Sequence, residues 1–583
     1  MSGETNYNSW TKTGLIQRVK ALEGELKRRG ETAQSVVAAA AAEDDGTRPH
    51  GVPETKKRKG PQAKRKMDPS RYSSRFIALK LAYLGKNYGG FEFQAMGNQP
   101  SIEEELWNAL TKACLIFPQD ERVVQFDCCE YSKCGRTDRG VSAFGQVIGL
   151  RVRSNRPLAK KRVKTEGKGG REGQEGQEEE AEELEEHEEE EEEEEEGKEK
   201  VPFDDLKDEL CYPRILNRLL PDDIRILAWC PSPPADFSAR FSCRERQYRY
   251  FFTQPAFMPD PTAATAGADP ESSAGQHVLP PGWLDIEAMR DAAKRFEGDH
   301  DFRNFCKIDP AKQISNFRRR IFESDIVQVE DAGGVLPFLQ DKEYLSSSSS
   351  SSSSSPGLLA SAGPYPKVYY FHVRGSAFLW HQIRHMVAIL FLVGQRLESP
   401  ALVSELLDTD RNPCRPSYVM ADEVPLVLWD CIFPDLLAAA QGKEGGEEED
   451  NHERTDCMEW IYVGDEHPPN KFGQFGVMES TWRLWRGHKM DELLSAQLLD
   501  RISRQGSGGG GGGADKRPQL VSERIFEGGN GGRLGGRYVP VMEKEVLQSP
   551  EEQNDRYARR KGYADAADMR AQRYGDGPDG EGA

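Results

Sequence analysis

The sequence lacks several features that would place a 583-residue chain in a common class. Its 11 cysteines form no Cys-x-x-Cys pair, so we expect reduced intracellular thiols, with neither a disulfide framework nor a metal site. The longest apolar run, Met386 to Val393, is too short to span a bilayer. The N-terminus has no apolar signal core. We therefore expect a soluble protein without a membrane partner.

Hydrophobic residues are scarce at 37%, and charged residues are abundant at 30%. A net charge of −19 would argue against a nucleic-acid partner if it were evenly spread. Residues 175–196, however, contain 17 glutamates and no lysine or arginine, so the rest of the chain carries only −2. Such an acidic run cannot pack and should be disordered. Local basic patches therefore matter more than the net charge.

The most informative stretch is a polar turn, Gly135-Arg136-Thr137-Asp138-Arg139-Gly140, followed by an alternating strand. The two glycines let the backbone bend tightly and approach a ligand closely. Asp138 lies between Arg136 and Arg139, whose positive charge should favour its ionised form. An ionised carboxylate can act as a base or as a nucleophile. A charged turn with a surface ion pair would have the same composition.

Two later segments also carry polar groups in ordered patterns. On a strand, Arg246, Tyr248 and Tyr250 would share one face, which could stack a base and hold phosphates, or could pack as an edge strand on a core. On a helix, His381, Arg384 and His385 would share a face that could hold a carboxylate or phosphate. His381 and His385 also have the spacing of a metal-binding pair, but the sequence offers no Glu or third ligand that would indicate a zinc site.

Taken together, these segments resemble the TruA-type tRNA pseudouridine synthases over roughly residues 76–433. The run Asn304-Phe305-Cys306-Lys307 resembles the eukaryotic branch of that family, the tRNA pseudouridine-38/39 synthases. The family's motifs are found in its order: a Tyr-x-Gly-x-x-Tyr-x-Gly loop matched approximately at Tyr83 to Gly90, the nucleophile signature at Gly135 to Ala143, Asp-Phe-x-Ala-Arg-Phe at Asp236 to Phe241, Arg-x-Tyr-x-Tyr at Arg246 to Tyr250, and Phe-x-x-His-x-x-Arg at Phe378 to Arg384.

The resemblance implies an α+β fold in which two similar halves form a continuous, mostly antiparallel sheet, with helices on one face and a central RNA-binding cleft. It implies conversion of uridine to pseudouridine at positions 38/39 of the tRNA anticodon stem-loop, without a cofactor, by a homodimer. The implied catalytic residues are Asp138 as nucleophile, Arg384 as its ion-pair partner and Tyr248 stacking on the target base. The residues expected to bind the substrate are Tyr248, Lys133, Arg136, Arg139, Arg240, Arg246 and His381.

Composition divides the chain into six regions. The regions are an N-terminal amphipathic helix (1–30), a basic disordered linker (31–74), the first part of the core with the nucleophile loop (75–158), a disordered basic and acidic insert (159–200), the rest of the core with disordered inserts at about 256–280 and 341–365 (201–436), and a mostly disordered C-terminal extension with short basic segments (437–583).

The basic linker contains two clusters, Lys56 to Lys59 and Lys64 to Lys66. These clusters could direct nuclear import, contact phosphates, or simply be solvated. We therefore expect the protein in the nucleus, the cytoplasm or both.

Other functions remain open at this point. The same chemistry could act at other positions of tRNA or on other RNAs. A non-catalytic tRNA-binding protein is a further alternative, although binding alone does not need the acid at position 138. A nuclease would require clusters of metal-binding carboxylates, which the sequence does not display.

Overall fold

The computed structural model describes residue 18 and residues 67–158, 203–257, 282–329, 366–434, 456–503, 505, 524–525, 533–534 and 538–574. The predicted N-terminal helix, apart from Arg18, lies outside the described residues, as does most of the predicted basic linker. The predicted inserts also lie outside them, except for two residues at the start of the insert near 256.

Among the described residues, the strands and the α-helices lie between Ser73 and Tyr574. The strands are β1 (Ser73–Tyr83), β2 (Ser132–Lys133), β3 (Ser142–Ser154), β4 (Ile224–Cys230), β5 (Glu245–Gln254), β6 (Gly298–Asp301), β7 (Arg318–Gln328), β8 (Lys367–Gly375), β9 (Leu426–Ile432), β10 (Ile461–Tyr462), β11 (Arg524–Ile525) and β12 (Arg533–Leu534). The α-helices are α1 (Ile102–Lys112), α2 (Tyr212–Asn217), α3 (Ile286–Lys294), α4 (Gln382–Gly394), α5 (Ala401–Leu407), α6 (Pro469–Phe472), α7 (Val477–Ser503), α8 (Pro550–Arg560) and α9 (Ala566–Tyr574).

Ten strands form one sheet in the order β10-β4-β1-β3-β9-β5-β8-β7-β6, with β2 also paired to β3. Adjacent strands are antiparallel except for β3 and β9, which run parallel where Ser142 and Ala143 lie opposite Val427 and Leu428. We call this parallel pair the seam. In the sheet order, the strands from β10 to β3, together with β2, form the first half, and the strands from β9 to β6 form the second half. This large, mostly antiparallel sheet confirms the predicted α+β class.

Each half has its own apolar core. In the first half, β1, β3 and β4 pack with α1 and α2 around Trp107 and Tyr212. In the second half, β5, β7 and β8 pack with α3, α4 and α5 around Phe371 and Phe391. Two helices begin at side chains of the type that the sequence pattern of a helix cap predicts: Ser101 Oγ accepts from the Glu104 N–H at 3.1 Å, and Asp285 Oδ1 accepts from the Ala288 N–H at 3.1 Å.

Helix α4 is the centre of the second core. All 13 of its residues are buried, which explains why the longest apolar run of the sequence lies within it. Burying one large aliphatic side chain contributes about 1.5–3 kcal/mol, so this helix stabilises the second half strongly. Among the described residues, no helix combines the length and the apolar character needed to cross a membrane.

The C-terminal region is more ordered than the sequence predicts. Strand β10 extends the sheet at β4, and Val541 is fully buried in the second core. The Asn554 side chain donates to the Ile314 carbonyl at 3.1 Å. Within the stretch expected to be mostly disordered, residues 456–503 and 538–574 contain helices α6 to α9, while the domain division itself stays a prediction.

Candidate active site at the seam

The predicted nucleophile loop connects β2 to β3 and is held by the first half. Thr137 Oγ1 lies 2.7 Å from the Tyr83 hydroxyl, and the Phe91 N–H donates to the Thr137 carbonyl at 3.1 Å. The Gln146 side-chain amide donates to the Gly135 carbonyl at 2.9 Å. These bonds fix the backbone before Asp138, and the Gly140 N–H fixes it after Asp138 by donating to the Tyr88 carbonyl at 3.3 Å.

Two glycines allow the loop to pack this closely. Gly140 has φ +80°, and a Cβ at that position would lie 2.6 Å from the Glu423 Cγ. Gly90 has φ +111°, and a Cβ there would lie 2.9 Å from the Thr137 carbonyl oxygen. Both the left-handed backbone and the lack of space require glycine at these positions.

The Asp138 carboxylate meets the second half at the start of α4. The Trp380 indole Nε1–H donates to Asp138 Oδ1 at 3.1 Å, and His381 Nε2 lies 3.4 Å from Oδ2. Lys307 Nζ lies 4.4 Å from the centroid of the Trp380 ring. The Asp138 side chain keeps 30% of its surface exposed, so a substrate atom can still reach it.

Burial raises the pKa of Asp138, because a charged carboxylate loses solvation there. The positive charge of Arg384, the hydrogen bond from Trp380 and the charge of Lys307 oppose that rise. The nearby Glu423 carboxylate adds to it. The ionisation of this acid therefore depends on residues of the second half.

This result corrects one expectation from the sequence. The flanking cations Arg136 and Arg139 were expected to hold Asp138 ionised. The cations with the largest effect on Asp138 are instead Arg384 and Lys307, and the overall direction of the pKa is upward. Proximity in sequence did not indicate which charges face the carboxylate in the folded chain.

His381 is a neutral neighbour of the carboxylate. Burial, and then the charges of Arg384, Lys307 and Arg415, lower the pKa of His381 to about 4. At neutral pH its Nε2 can therefore approach Asp138 only as part of an uncharged ring. His385 has a different environment, with Arg415 Nη1 3.3 Å from its Nδ1. The two histidines thus do not form a metal pair.

Arg384 is placed near the acid, as the resemblance implies, but its direct ion pair is with another residue. Its Nε donates to the Ala421 carbonyl at 2.7 Å, and its Nη2 donates to the Glu423 carboxylate at 2.7 Å. The Arg384 side chain is only 8% exposed. Arg384 therefore acts on Asp138 through its charge, while Glu423 holds the guanidinium.

The predicted substrate-binding cations of the loop differ in their partners. Lys133 Nζ is paired inside the first half with Glu92 at 3.0 Å and Glu103 at 2.7 Å. Arg136 Nε lies 3.2 Å from Glu92, with 45% of its side chain exposed. Arg139 is exposed and has no ion-pair partner among the described residues. Arg139 is thus the most available of the three for an external anion.

Backbone carbonyl groups orient the side chain of Arg246. Its guanidinium donates to the carbonyls of Ser376 at 2.9 Å, Cys134 at 3.1 Å and Arg240 at 3.3 Å. These bonds tie the residue before the nucleophile loop to the end of β8. Arg246 thus contacts the segment that leads into the nucleophile loop, and its predicted role in substrate binding stays a prediction.

Tyr248 and Arg240 complete the set of predicted residues. The Tyr248 ring is half-buried and meets the edge of Phe378, with centroids 5.2 Å apart. Burial, and then repulsion by Arg136 and Arg246, lower the pKa of Arg240. A guanidinium repelled by two other cations gains stability when an anion such as a phosphate binds beside it.

Three residues at the site were missed by sequence reasoning. Trp380 lies at an unspecified position of the Phe-x-x-His-x-x-Arg motif, and Lys307 lies in a run interpreted only as a branch marker. Both could have been found as polar groups inside a motif. Glu423 has no local signal, because it reaches the nucleophile loop only through the pairing of β9 with β3.

Comparisons with known proteins agree on one family. Residues 292–434 match the family model described as tRNA pseudouridine synthase. The chain is 35% identical to the tRNA pseudouridine(38/39) synthase of Saccharomyces cerevisiae over 74% of this chain and 72% of that protein. It is 37% identical to the protein of that name from Mus musculus (74% and 69%) and 36% identical to that from Homo sapiens (74% and 68%). The matched segment 292–434 contains Arg384 and Glu423 but not Asp138.

Proposed function

The chain belongs to the tRNA pseudouridine synthase family, and from that premise we propose that it converts uridine to pseudouridine at positions 38 and 39 of tRNA, in the anticodon stem-loop. The observation that carries this proposal is the presentation of one carboxylate, Asp138, by a fixed loop at the seam. The names of the similar yeast, mouse and human proteins support the two positions.

Asp138 acts as the nucleophile in this proposal. Its attack forms a transient bond to the target nucleotide, so that the base can detach from its ribose, rotate and rejoin through carbon, and that transient bond breaks again when the carboxylate leaves. One carbon–nitrogen bond is broken, one carbon–carbon bond is formed, and the proton displaced from carbon is balanced by one gained at nitrogen. The product is an isomer of the substrate, so the reaction consumes no co-substrate.

The second half keeps the nucleophile usable. A carboxylate must be ionised to attack, yet burial raises the pKa of Asp138. The indole N–H of Trp380 stabilises the ionised form through a hydrogen bond, and Arg384 and Lys307 stabilise it through their charges. Neutral His381 fills the other side of the carboxylate without competing as an ion-pair partner.

The RNA must present an unstacked base to this site. Tyr248 is half-buried beside Phe378 and provides an aromatic surface on which a base can stack. Exposed Arg139, half-exposed Arg136 and electrostatically repelled Arg240 provide positive charge for phosphates. We therefore expect affinity for tRNA to fall as salt rises.

The test is pseudouridine mapping of a tRNA anticodon stem-loop after incubation with wild type, Asp138→Ala and a matched control, Asp120→Ala. Asp120 is an acid that pairs with its neighbour Arg122. We expect modification at 38 and 39 by the wild type and the control, and none by Asp138→Ala. Modification at other positions would retain the chemistry and change the target. Binding of tRNA without modification by the wild type would favour a binding protein.

We also propose that the protein is a homodimer. Support comes from α7, where large apolar side chains remain exposed among the described residues: Leu494 at 67%, Leu498 at 60% and Ile502 at 57%. Large apolar side chains that lie exposed at every fourth position of one helix are typical of an interaction surface. Light scattering of the wild type and of Leu498→Glu tests this, since a dimer that uses α7 should dissociate in the variant.

For its location we propose the nucleus, the cytoplasm or both. The basic clusters at 56–59 and 64–66 support this proposal, although they lie outside the described residues. Fluorescence imaging of the full chain, with and without lysine-to-alanine changes in both clusters, would test whether they direct nuclear import.

A further inference from the structure

Three buried cysteines converge directly behind the nucleophile loop. Cys134 follows β2, Cys243 precedes β5, and Cys431 lies in β9. Their three sulfur atoms all lie within 4.8 Å of one another, and the Cys134 and Cys431 sulfurs are 3.1 Å apart. These residues are far apart in the sequence, so the spacing rules that predicted no metal site could not detect them.

The separation of the sulfurs fits one shared ion. A zinc–sulfur bond is about 2.3 Å long, which places the sulfurs around one ion about 3.7–4.0 Å apart. Thiolates select soft cations such as Zn²⁺ and Cu⁺ over Mg²⁺ or Ca²⁺. The three thiols can therefore close around one such ion through shifts of well under 1 Å in their sulfur positions.

The charge beside the cluster also fits. The half-buried guanidinium of Arg246 lies beside the cluster, because it donates to the backbone carbonyl of Cys134 as well as to those of Ser376 and Arg240. A buried cation is stabilised by an anion nearby. Three thiolates around a divalent ion carry one net negative charge, so Arg246 would neutralise the site.

We propose that Cys134, Cys243 and Cys431 bind one thiophilic d¹⁰ cation, Zn²⁺ or Cu⁺. The bound ion would join the residue that leads into the nucleophile loop to the strand β9 at the seam and to the segment before β5. Its role is to hold the loop in place, and it takes no part in the isomerisation. This inference does not depend on which uridine is modified.

The alternative is an apolar cluster of thiols that bind no ion, since cysteine also packs as a small hydrophobic residue. The two cases differ in what the full chain binds. Purified wild type is stripped of metal under reducing, anaerobic conditions and divided into two samples. One sample is titrated with Co²⁺ and then with Zn²⁺. The other is titrated with Cu⁺ in competition with a chromophoric chelator. The variant is Cys431→Ser, and the matched control is Cys230→Ser, which replaces a buried thiol of the same core.

We expect one equivalent of Zn²⁺ or Cu⁺ per chain in the wild type and in Cys230→Ser, and at least about 100-fold weaker binding in Cys431→Ser. The arm that reaches one equivalent identifies the cation. Co²⁺ bound by thiolates should give a near-ultraviolet charge-transfer band. Equal binding by Cys431→Ser and wild type would overturn the proposal, as would a wild type that binds neither cation with this stoichiometry.

A second measurement uses the wild type alone, in case Cys431→Ser does not fold. X-ray absorption of the loaded protein should show a shell of about three sulfurs near 2.3 Å. A shell made only of nitrogen and oxygen would contradict the proposal. So would recovery of Cys134 and Cys431 as a disulfide in a protein that takes up no metal.

Discussion

The two halves of the sheet contribute differently to the same carboxylate. The first half fixes the position of Asp138, through bonds from Tyr83 and Phe91 to Thr137, but pairs its own cation Lys133 with internal acids. The second half provides the groups that act most strongly on its charge, among them Trp380 and Arg384. Position and ionisation of the nucleophile thus come from different parts of the chain, and the seam brings them together.

The largest effect should come from removing the nucleophile itself. Asp138→Asn keeps the shape of the side chain and an acceptor for the Trp380 N–H, but it cannot attack as a carboxylate. We expect turnover to fall by at least about 10³-fold, measured as the rate of pseudouridine formation.

The same variant separates chemistry from stability. Because burial raises the pKa of Asp138 in the folded protein, its ionisation costs stability as pH rises through the interval above its ordinary value of 3.8, and the cost persists at neutral pH. Asn does not ionise, so Asp138→Asn should melt at the same temperature as wild type or higher at pH 7. A clear fall in melting temperature would mean that the carboxylate is needed for folding.

The next effect tests the hydrogen bond from the second half. Trp380→Phe keeps an aromatic ring and removes the donor to Asp138. Hydrogen bonds to charged groups contribute about 1.5–3 kcal/mol, and loss of this one removes a cause that lowers the pKa of Asp138, so that pKa should rise further. The acidic limb of the profile of kcat/KM against pH should therefore move to higher pH.

An unchanged limb in Trp380→Phe would show that the indole only packs against the site. Trp482→Phe is the matched control, because Trp482 is also about 39% exposed and lies on α7. Its pH profile should coincide with that of the wild type.

Sequence reasoning predicted what is local and missed what depends on the fold. The loop around Asp138, the following strand and the caps at Ser101 and Asp285 follow from neighbouring residues, and the order of motifs indicated the family. The partner of Arg384 could not be predicted, because Glu423 reaches it only after β9 pairs with β3. For Arg246, the local pattern is typical of RNA binding, but it did not indicate the contacts that this side chain makes. Its guanidinium donates to backbone carbonyls.

A smaller effect of opposite sign should follow from Glu423→Gln. The substitution removes a carboxylate that raises the pKa of Asp138, while its amide oxygen can still accept from Arg384. The pKa of Asp138 should therefore fall, and the acidic limb of kcat/KM should move to lower pH. Movement to higher pH would show that holding Arg384 in place matters more than the repulsion.

The smallest effects concern binding, and they compare two cations of the first half. Arg139 has no ion-pair partner among the described residues, whereas Arg136 lies 3.2 Å from Glu92. If Arg139 contacts a phosphate, Arg139→Ala should weaken tRNA binding a few-fold and reduce the slope of log K against log salt by about 0.7–0.9. Arg136→Ala should change the slope less, because binding through Arg136 already costs its pair with Glu92. Equal slopes for both variants, measured by filter binding over a salt series, would show that Glu92 does not restrain Arg136, and the two cations would then count as equivalent contacts.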